Sequence, residues 1–403
     1  MKILFLPLFK MPSGHHRVAD ALIGMIQART KKIECKKVDL LSYSSESLEK
    51  NVSQIYLKWI NRTPKSYDWA YKHFAYTKSH KNRTFKGIEL FFLHHLQKLL
   101  EEERPDTVVC THGFPSLLMS KLKNKGQCNI PVINVYTDFF INDIWGREGI
   151  DYHLVPNLET KTRMVEHYGI KETTIFVSGI PIHEIFNETR SGYRVDRTKT
   201  ILVAGGSSGL GDMTRFIKPG DPKRGFRYIV LCGNNQDLYR RLKQQESPHI
   251  CPLPYVASRE EMNKLYDEVD AIITKPGGVT VSEALKKHLP IFIHSALPGQ
   301  EHINLQYLKE KNLVYELNQV EDVETQIARI IYDELEMRKW ERAVTRYAEE
   351  MQMASTRMLF NFLYANMMEG VYLNSLQEQI IKKRGFVSAI KKVAKKISTT
   401  SNI

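Results

Sequence analysis

The sequence predicts an α/β protein of two doubly wound domains that face one another across a cleft, followed by a basic tail. Three observations predict it. The chain of 403 residues is too long for one ordinary core and fits two domains of roughly 100 to 200 residues each. Short runs rich in β-branched and aromatic residues alternate with helical patterns, as in a parallel sheet with helical crossovers. That series halts at a polar stretch, residues 187–199, and then begins again. The boundary is therefore placed near residue 190, with the second domain ending near residue 365 and the tail beginning at 366.

The first strand is expected at residues 3–9. Its apolar run is too short for a typical signal-peptide core, lacks a small-residue cleavage site and leads straight into the polar turn Ser13-Gly14-His15-His16. Helical patterns follow over 17–30 and 88–103, with strands over 107–110, 132–136, 153–156 and 175–178. In the second domain, runs at 201–204, 227–232, 271–274 and 290–294 read as strands interleaved with helices. No stretch reaches the roughly 18 to 20 apolar residues that span a bilayer, so any membrane contact is expected to be peripheral. Cys35, Cys110, Cys128, Cys232 and Cys251 are odd in number, scattered and without a C-x-x-C pair, which argues for a reducing compartment and against a disulfide frame or zinc site.

The net charge is +13, and its location is informative. Residues 51–98 carry +7 and residues 371–403 carry +6, so the rest of the chain is neutral. The first patch holds ten aromatic residues in 48 positions. In the second, Phe386, Ile390, Val393 and Ile397 share one helical arc, with Lys391, Lys392, Lys395 and Lys396 opposite, the pattern of a helix lying in a membrane interface. Both patches suit an anionic lipid surface; no recognition motif supports nucleic-acid binding.

Two glycine-rich turns follow strands of the second half. Gly205, Gly206, Ser207 and Ser208 open a loop whose backbone amides suit a phosphate, although a ligand-free αβ turn has the same composition. Lys275 to Leu285, KPGGVTVSEAL, is more specific. Lys275, Pro276, Gly277 and Gly278 make a turn that backbone or ligand can approach closely, and Val279 and Thr280 begin a helix that carries Glu283 one turn on. There a diphosphate would meet the amides and Glu283 the hydroxyls of a ribose. Gln300 and Glu301, an amide beside a carboxylate, suit the hydroxyls of a sugar.

These segments resemble the monogalactosyldiacylglycerol synthase and processive diacylglycerol glucosyltransferase family, relatives of the peptidoglycan N-acetylglucosaminyltransferase. The resemblance runs from Leu4 to about residue 365, with motifs in the family's order. Ser13-Gly14-His15 with Ala19 matches its G-H-x-x-x-A turn; Thr137-Asp138, Trp145 and Gly179-Ile180-Pro181-Ile182 match T-D…W…G-I-P-I; Lys275 to Gly278 with Ser282-Glu283-Ala284, and Pro298 to Glu301 with Asn304, match the donor half. The resemblance implies the GT-B fold, a UDP-sugar donor, a uracil-contacting loop at Pro254-Tyr255-Val256, a ribose contact at Glu283 and sugar contacts at Gln300 and Glu301. It also implies a C-terminal segment returning to the first lobe, for which a long helix over 340–364 is expected.

Transfer of a glycosyl group needs a base beside the acceptor hydroxyl. His15, on the turn after the first strand, is the expected base, with Asp138 as its alternative or orienting partner. Gly14, Asn142 and Trp145 are expected on the acceptor side. Asn142 stands where the family has a histidine, and asparagine cannot shuttle a proton near neutral pH. No D-x-D follows a strand, so neither a metal nor another cofactor is expected, the UDP-sugar being a substrate. The expected activity is transfer of a hexose from a UDP-sugar to the hydroxyl of a membrane lipid, diacylglycerol or a glycolipid, at the cytoplasmic face of the cell membrane, with inversion implied by the resemblance. A polyprenyl-linked or small hydrophobic acceptor, a UDP-sugar 2-epimerase of the same fold and a non-catalytic UDP-sugar sensor are the alternatives.

Overall fold

The computed structural model describes residues 1–8, 13–45, 86–187, 198–205, 225–297, 299–353 and 355–366. Two sheets organise them, each of six strands and parallel throughout. The first contains β1 (Lys2–Leu6), β2 (Glu34–Lys37), β3 (Thr107–Cys110), β4 (Val132–Val135), β5 (Tyr152–Val155) and β6 (Ile175–Val177) in the order β2-β1-β3-β4-β5-β6. The second contains β7 (Lys199–Ala204), β8 (Phe226–Leu231), β9 (Ile250–Leu253), β10 (Ala271–Thr274), β11 (Ile291–Ile293) and β12 (Tyr315–Glu316) in the order β12-β11-β10-β7-β8-β9. Sheets covered by helices on both faces bury both sides of their central strands. Hence β3, β4 and β10 are mostly apolar without alternation and are buried at every position, Thr107, Asn134 and Thr274 included.

In each sheet the strand order reverses once, between β1 and β3 and between β7 and β10. The crevice beyond the carboxyl ends of such strands is where doubly wound sheets take ligands. Four loops leave the strands there: the one after β1 that leads to His15, that after β3 at Thr111, that after β7 at Gly205, and that after β10 at Lys275.

The helices of the first lobe are α1 (Gly14–Arg29), α2 (Leu40–Ser44), α3 (Lys86–Glu103), α4 (Gly113–Asn124) and α5 (Leu158–Tyr168). Those of the second are α6 (Gln236–Gln244), α7 (Arg259–Glu268), α8 (Gly278–Lys286), α9 (Gln300–Glu310), α10 (Val323–Ile331) and α11 (Glu334–Glu349). Among the described residues a further helix, α12, occupies 356–366. Helix α1 buries Val18, Leu22, Met25 and Ile26, the spacing of one helical face. It packs against α8 of the other lobe, and one cluster of buried side chains runs through both, from Val18 and Leu22 to Val281 and Leu285.

The chain does return to the first lobe, but not as one long helix. Helical bonding stops after Glu349 because the backbone N–H groups of Gln352 and Met353 donate to the Val177 carbonyl at 2.8 and 3.2 Å, and Val177 N–H donates to Gln352 Oε1 at 3.0 Å. The segment is thus tied to β6, and α12 restarts beyond it. Phe362 then lies 5.3 Å from the Tyr152 ring and 4.6 Å from that of Phe176.

Three strands carry no expectation from sequence. β2 reads Glu-Cys-Lys-Lys with no apolar alternation, β9 contains a proline, and β12 has two residues. All three are at or next to a sheet edge, where short polar strands are the rule. Of the basic patches, the tail and most of residues 51–98 lie outside the described residues. Within the part of the aromatic patch on α3, Phe92 is buried against Phe114, whereas Leu90 and Phe91 are exposed. Among the described residues no helix is long and apolar enough to cross a membrane.

Candidate active site

His15 occupies the second position of α1, beside the carboxyl ends of β1 and β3. Its Nδ1 lies 2.9 Å from the Thr111 carbonyl and 2.8 Å from Thr137 Oγ1. A carbonyl only accepts, so Nδ1 carries the hydrogen and Nε2 is left with its lone pair, the tautomer a general base needs. Burial lowers the imidazole pKa to about 4, assisted by the neighbouring charge of His16, although the Thr111 carbonyl opposes this. His112, whose ring stands edge-on at 4.6 Å, is itself held well below its ordinary value by burial. His15 is therefore neutral at physiological pH.

Asp138 does not orient this histidine. The partners of Nδ1 are Thr137, one residue earlier, and Thr111. Asp138 Oδ1 instead accepts from Asn304 Nδ2 at 2.9 Å, across the cleft, and burial raises its pKa. Asn304 Oδ1 in turn accepts from the Phe139 N–H at 2.9 Å. The side chain that orients His15 was therefore displaced by one position in the sequence reading. Adjacent residues of an extended segment point to opposite sides, which spacing alone does not resolve.

The turn at Lys275–Gly278, expected to hold the donor, meets the same segment. Pro276 is buried, the Gly277 N–H donates to the Lys275 carbonyl at 2.8 Å, and Gly278 begins α8. A methyl group on Gly278 would stand 2.0 Å from the Thr137 carbonyl oxygen and 2.8 Å from Ile180 Cδ1, so only glycine fits where the lobes touch. Gly14, exposed at the start of α1, would bring a side chain to 3.6 Å from Val279 Cγ2. Residues 137–139 are thus a hub: Thr137 meets His15 and Gly278, while Asp138 and Phe139 meet Asn304.

Helix capping singles out the three helices at this hub. The caps of α2, α4, α5, α6, α7, α10 and α11 place a side-chain acceptor on backbone amides: Asp39, His112, Asn157, Asn235, Ser258, Asp322 and Asp333. The caps of α1, α8 and α9 (Ser13, Gly277 and Gly299) do not. No side chain caps these three starts, although the His302 N–H in the first turn of α9 donates to the Leu297 carbonyl at 3.2 Å; the positive end of a helix dipole favours an anion at such a start.

Other expected site residues take varied places. Glu283 is 2% exposed, and its oxygens accept from Arg17 Nη2 at 2.9 and 3.2 Å and from Tyr266 OH at 2.9 Å. Burial raises its pKa, while Arg17 and the Tyr266 hydroxyl draw it back. Tyr255 is 49% exposed on the loop after β9, with Val256 half-buried beside it. Glu301 Oε2 accepts from the Leu297 N–H at 2.7 Å; burial raises its pKa and the nearby Lys275 charge lowers it. Gln300 begins α9 half-buried, and Thr280 is half-buried in the first turn of α8. Gly205 is buried directly after β7; Gly206, Ser207 and Ser208 lie outside the described residues.

The acceptor-side reading needs correction at Trp145. Its ring packs 4.4 Å from Tyr136 within a cluster that includes Ile141, Val155 and Met164, and it is 7% exposed. It is a core residue. Trp145→Ala is accordingly expected to lower stability by about 3 to 5 kcal/mol in chemical denaturation, and a loss below about 1 kcal/mol would return it to the surface of the site. Asn142 is also buried, and its Oδ1 accepts from the Ile144 N–H at 3.1 Å, the turn-forming bond that asparagine makes readily.

The sequence profile of the family described as monogalactosyldiacylglycerol (MGDG) synthase matches residues 15–182. The uncharacterized glycosyltransferase YkoN of Bacillus subtilis (strain 168) is 38% identical over 352 residues, 87% of this chain and 93% of that protein. The chain belongs to the monogalactosyldiacylglycerol synthase family of glycosyltransferases. A processive diacylglycerol beta-glucosyltransferase of Bacillus pumilus (strain SAFR-032) is 26% identical over 331 residues, 80% of this chain and 85% of that one. Acinetobacter baumannii MurG superposes with a TM-score of 0.57 at 14% identity, covering 91% of this chain and 100% of that structure. S. aureus MnaA, solved with UDP, has the same TM-score of 0.57 and identity of 14%, covering 91% and 97%. The two lobes are therefore a GT-B fold, and the chain is a glycosyltransferase. In this chain the Thr137 carbonyl is where the segment carrying Asp138 and Asn142 meets Gly278 of the second lobe.

Proposed function

We propose that this glycosyltransferase transfers a hexose from a UDP-sugar to a hydroxyl of a membrane lipid, diacylglycerol or a glycolipid, with inversion at the anomeric carbon. The observation that carries this reading is the hub at 137–139, where the uncapped starts of α1 and α8 meet at Thr137 beside a neutral His15. In it, the diphosphate lies against the first-turn amides of α1 and α8, and Glu283 holds ribose hydroxyls. Tyr255 and Val256 border the base, and Gln300 and Glu301 face the sugar.

His15 Nε2 accepts the proton of the lipid hydroxyl as its oxygen bonds to the anomeric carbon. The bond from that carbon to the diphosphate oxygen breaks, and the negative charge on UDP is met by amides and helix dipoles fixed before the reaction. No metal or other cofactor is required by this arrangement. The exposed Leu90 and Phe91 on α3 fit peripheral contact with the inner face of the membrane, the lipid-facing role expected of residues 51–98 and, within the basic tail at 371–403, of residues 380–398.

The reading is tested by mass spectrometry of lipids formed when the purified protein is given mixed UDP-sugars and a membrane lipid extract. A hexosyl lipid is expected. Conversion of a UDP-sugar without an acceptor would support an epimerase instead, and no turnover would support a sensor. Glu283→Ala is expected to weaken UDP binding at least about tenfold by calorimetry, from the loss of hydrogen bonds to a charged acceptor. An unchanged dissociation constant would remove the ribose assignment.

A further inference from the structure

Arg17 has no part in the reading above, yet it joins the acceptor lobe to the donor site. It lies in the first turn of α1, two residues after His15, and its guanidinium spans the cleft to Glu283. Glu283 is buried in α8, its side chain 3% exposed, whereas the Arg17 side chain is 46% exposed. The cation therefore sits at the open mouth of the site, above a carboxylate at its floor. Tyr255 and Tyr266 are both close enough to act on it electrostatically.

The acceptor capacity of Glu283 is nearly full. A carboxylate has about four lone-pair sites. Oε2 accepts from both Arg17 and Tyr266, and Oε1 accepts from Arg17. One site remains, but the two hydroxyls of a ribose need two. Tyr266 is fully enclosed and its ring is fixed against Phe186, so Arg17 is the partner able to yield. A guanidinium that leaves a carboxylate needs another anion, because a cation without a partner in a partly enclosed cleft loses both solvation and attraction. Glu283 stands five residues beyond Gly278, about 7.5 Å along α8 from its uncapped start. The start of α1, which carries Arg17, faces the same space. A diphosphate between these helix starts presents oxygens that match the guanidinium fork.

We propose that Arg17 is a donor-positioning residue that exchanges Glu283 for the diphosphate when the ribose hydroxyls take its place on that carboxylate. The exchange makes the phosphates necessary for tight binding: a nucleoside alone breaks the Arg17–Glu283 pair and offers nothing in return. It also gives the acceptor lobe a direct hold on the donor, beside the base. The inference rests on the reading of Glu283 as the ribose ligand.

Calorimetric titration of uridine and of UDP into the full chain separates the two ideas. Arg17→Met is expected to weaken UDP at least about tenfold while leaving uridine unchanged or tighter, since uridine no longer displaces the pair. Arg17→Lys, which keeps the charge without the fork, is expected to retain part of the UDP affinity with uridine unaffected. It also serves if the methionine variant shows no cooperative thermal transition. Equal weakening of both ligands by Arg17→Met or Arg17→Lys would show that Arg17 only holds Glu283 in place and would overturn the proposal, as would unaltered UDP binding. Glu283→Ala reports on the underlying reading separately: it must weaken uridine, and if it does not, the ribose contact fails whatever Arg17 does.

Discussion

Replacing Gly278 with alanine is expected to lower kcat/KM by about 100-fold or more, the usual consequence of moving catalytic groups by about 1 Å. The added methyl would meet the Thr137 carbonyl oxygen at 2.0 Å, far inside van der Waals contact, and Ile180 at 2.8 Å. A leucine tip could rotate away from such a contact, but a backbone carbonyl cannot. The next residue, Asp138, is held by Asn304, and the Phe139 carbonyl accepts from Asn157 Nδ2 at 2.8 Å, so the segment has little freedom to retreat. Either the lobes part or Thr137 shifts, and both outcomes move its hydroxyl from His15. The overpacking should also destabilise the chain by about 1 to 3 kcal/mol. Gly277, next in the chain, has no atom within 4 Å of the same added methyl, so Gly277→Ala should change stability by no more than about 0.5 kcal/mol. Initial-rate kinetics and denaturant unfolding on the pair make the comparison. Activity of Gly278→Ala within about threefold of the parent would mean that the lobes do not meet this way during turnover.

His15→Ala is expected to reduce kcat by about 100- to 10,000-fold, the range for a lost general base. The pH dependence identifies the group more sharply. Burial holds its pKa near 4, so the basic form is present above that value and is lost as pH falls through it. With the UDP-sugar as varied substrate, kcat/KM should stay level from pH 8 to about 5 and decline toward 4. A bound diphosphate favours the imidazolium, so the acid limb of kcat should stand at higher pH than that of kcat/KM. A kcat/KM limb at the ordinary histidine value of 6.5 would exclude His15 as this base. Folding stability follows the same group. Above pH 6.5 neither folded nor unfolded chain protonates it; between 6.5 and about 4 only the unfolded chain does. Stability is thus lost on acidification, by up to about 1.4 kcal/mol per pH unit, and His15→Ala should flatten that slope.

Much of the fold was legible in the sequence, for a physical reason: both sheets are covered on two faces, so their central strands are mostly apolar without alternation. The edge strands β2 and β12 lack that pattern and were not found. The glycine-rich turn at Lys275–Gly278 was marked by its composition after a strand, whereas the role expected of His15 rested on the family motif, since a lone histidine at a turn is more often structural. Pairings between distant residues were not. Nothing in the spacing of Thr137 and Asp138 says which faces His15, and Trp145 looks the same in a motif whether it lines a cleft or fills a core. Arg17 had a local signal, a cation in the first turn of α1 beside the base, but its partner lies 266 residues away. The break between α11 and α12 was hidden for the same cause, since it depends on hydrogen bonds to β6.

The return of α12 bears on how the protein is made. Leu359 and Leu363 are buried in the cluster that also holds Ile3, Phe5 and Ile133, and Phe362 covers the rings on β5 and β6. The lobe built from residues 1–187 therefore receives part of its apolar cover from a segment translated after the second lobe. During vectorial synthesis, when N-terminal domains ordinarily fold first, the second lobe (through α11) has all its own strands before the first lobe is sealed. The first lobe thus leaves the ribosome as an unfinished surface, and α12 closes it.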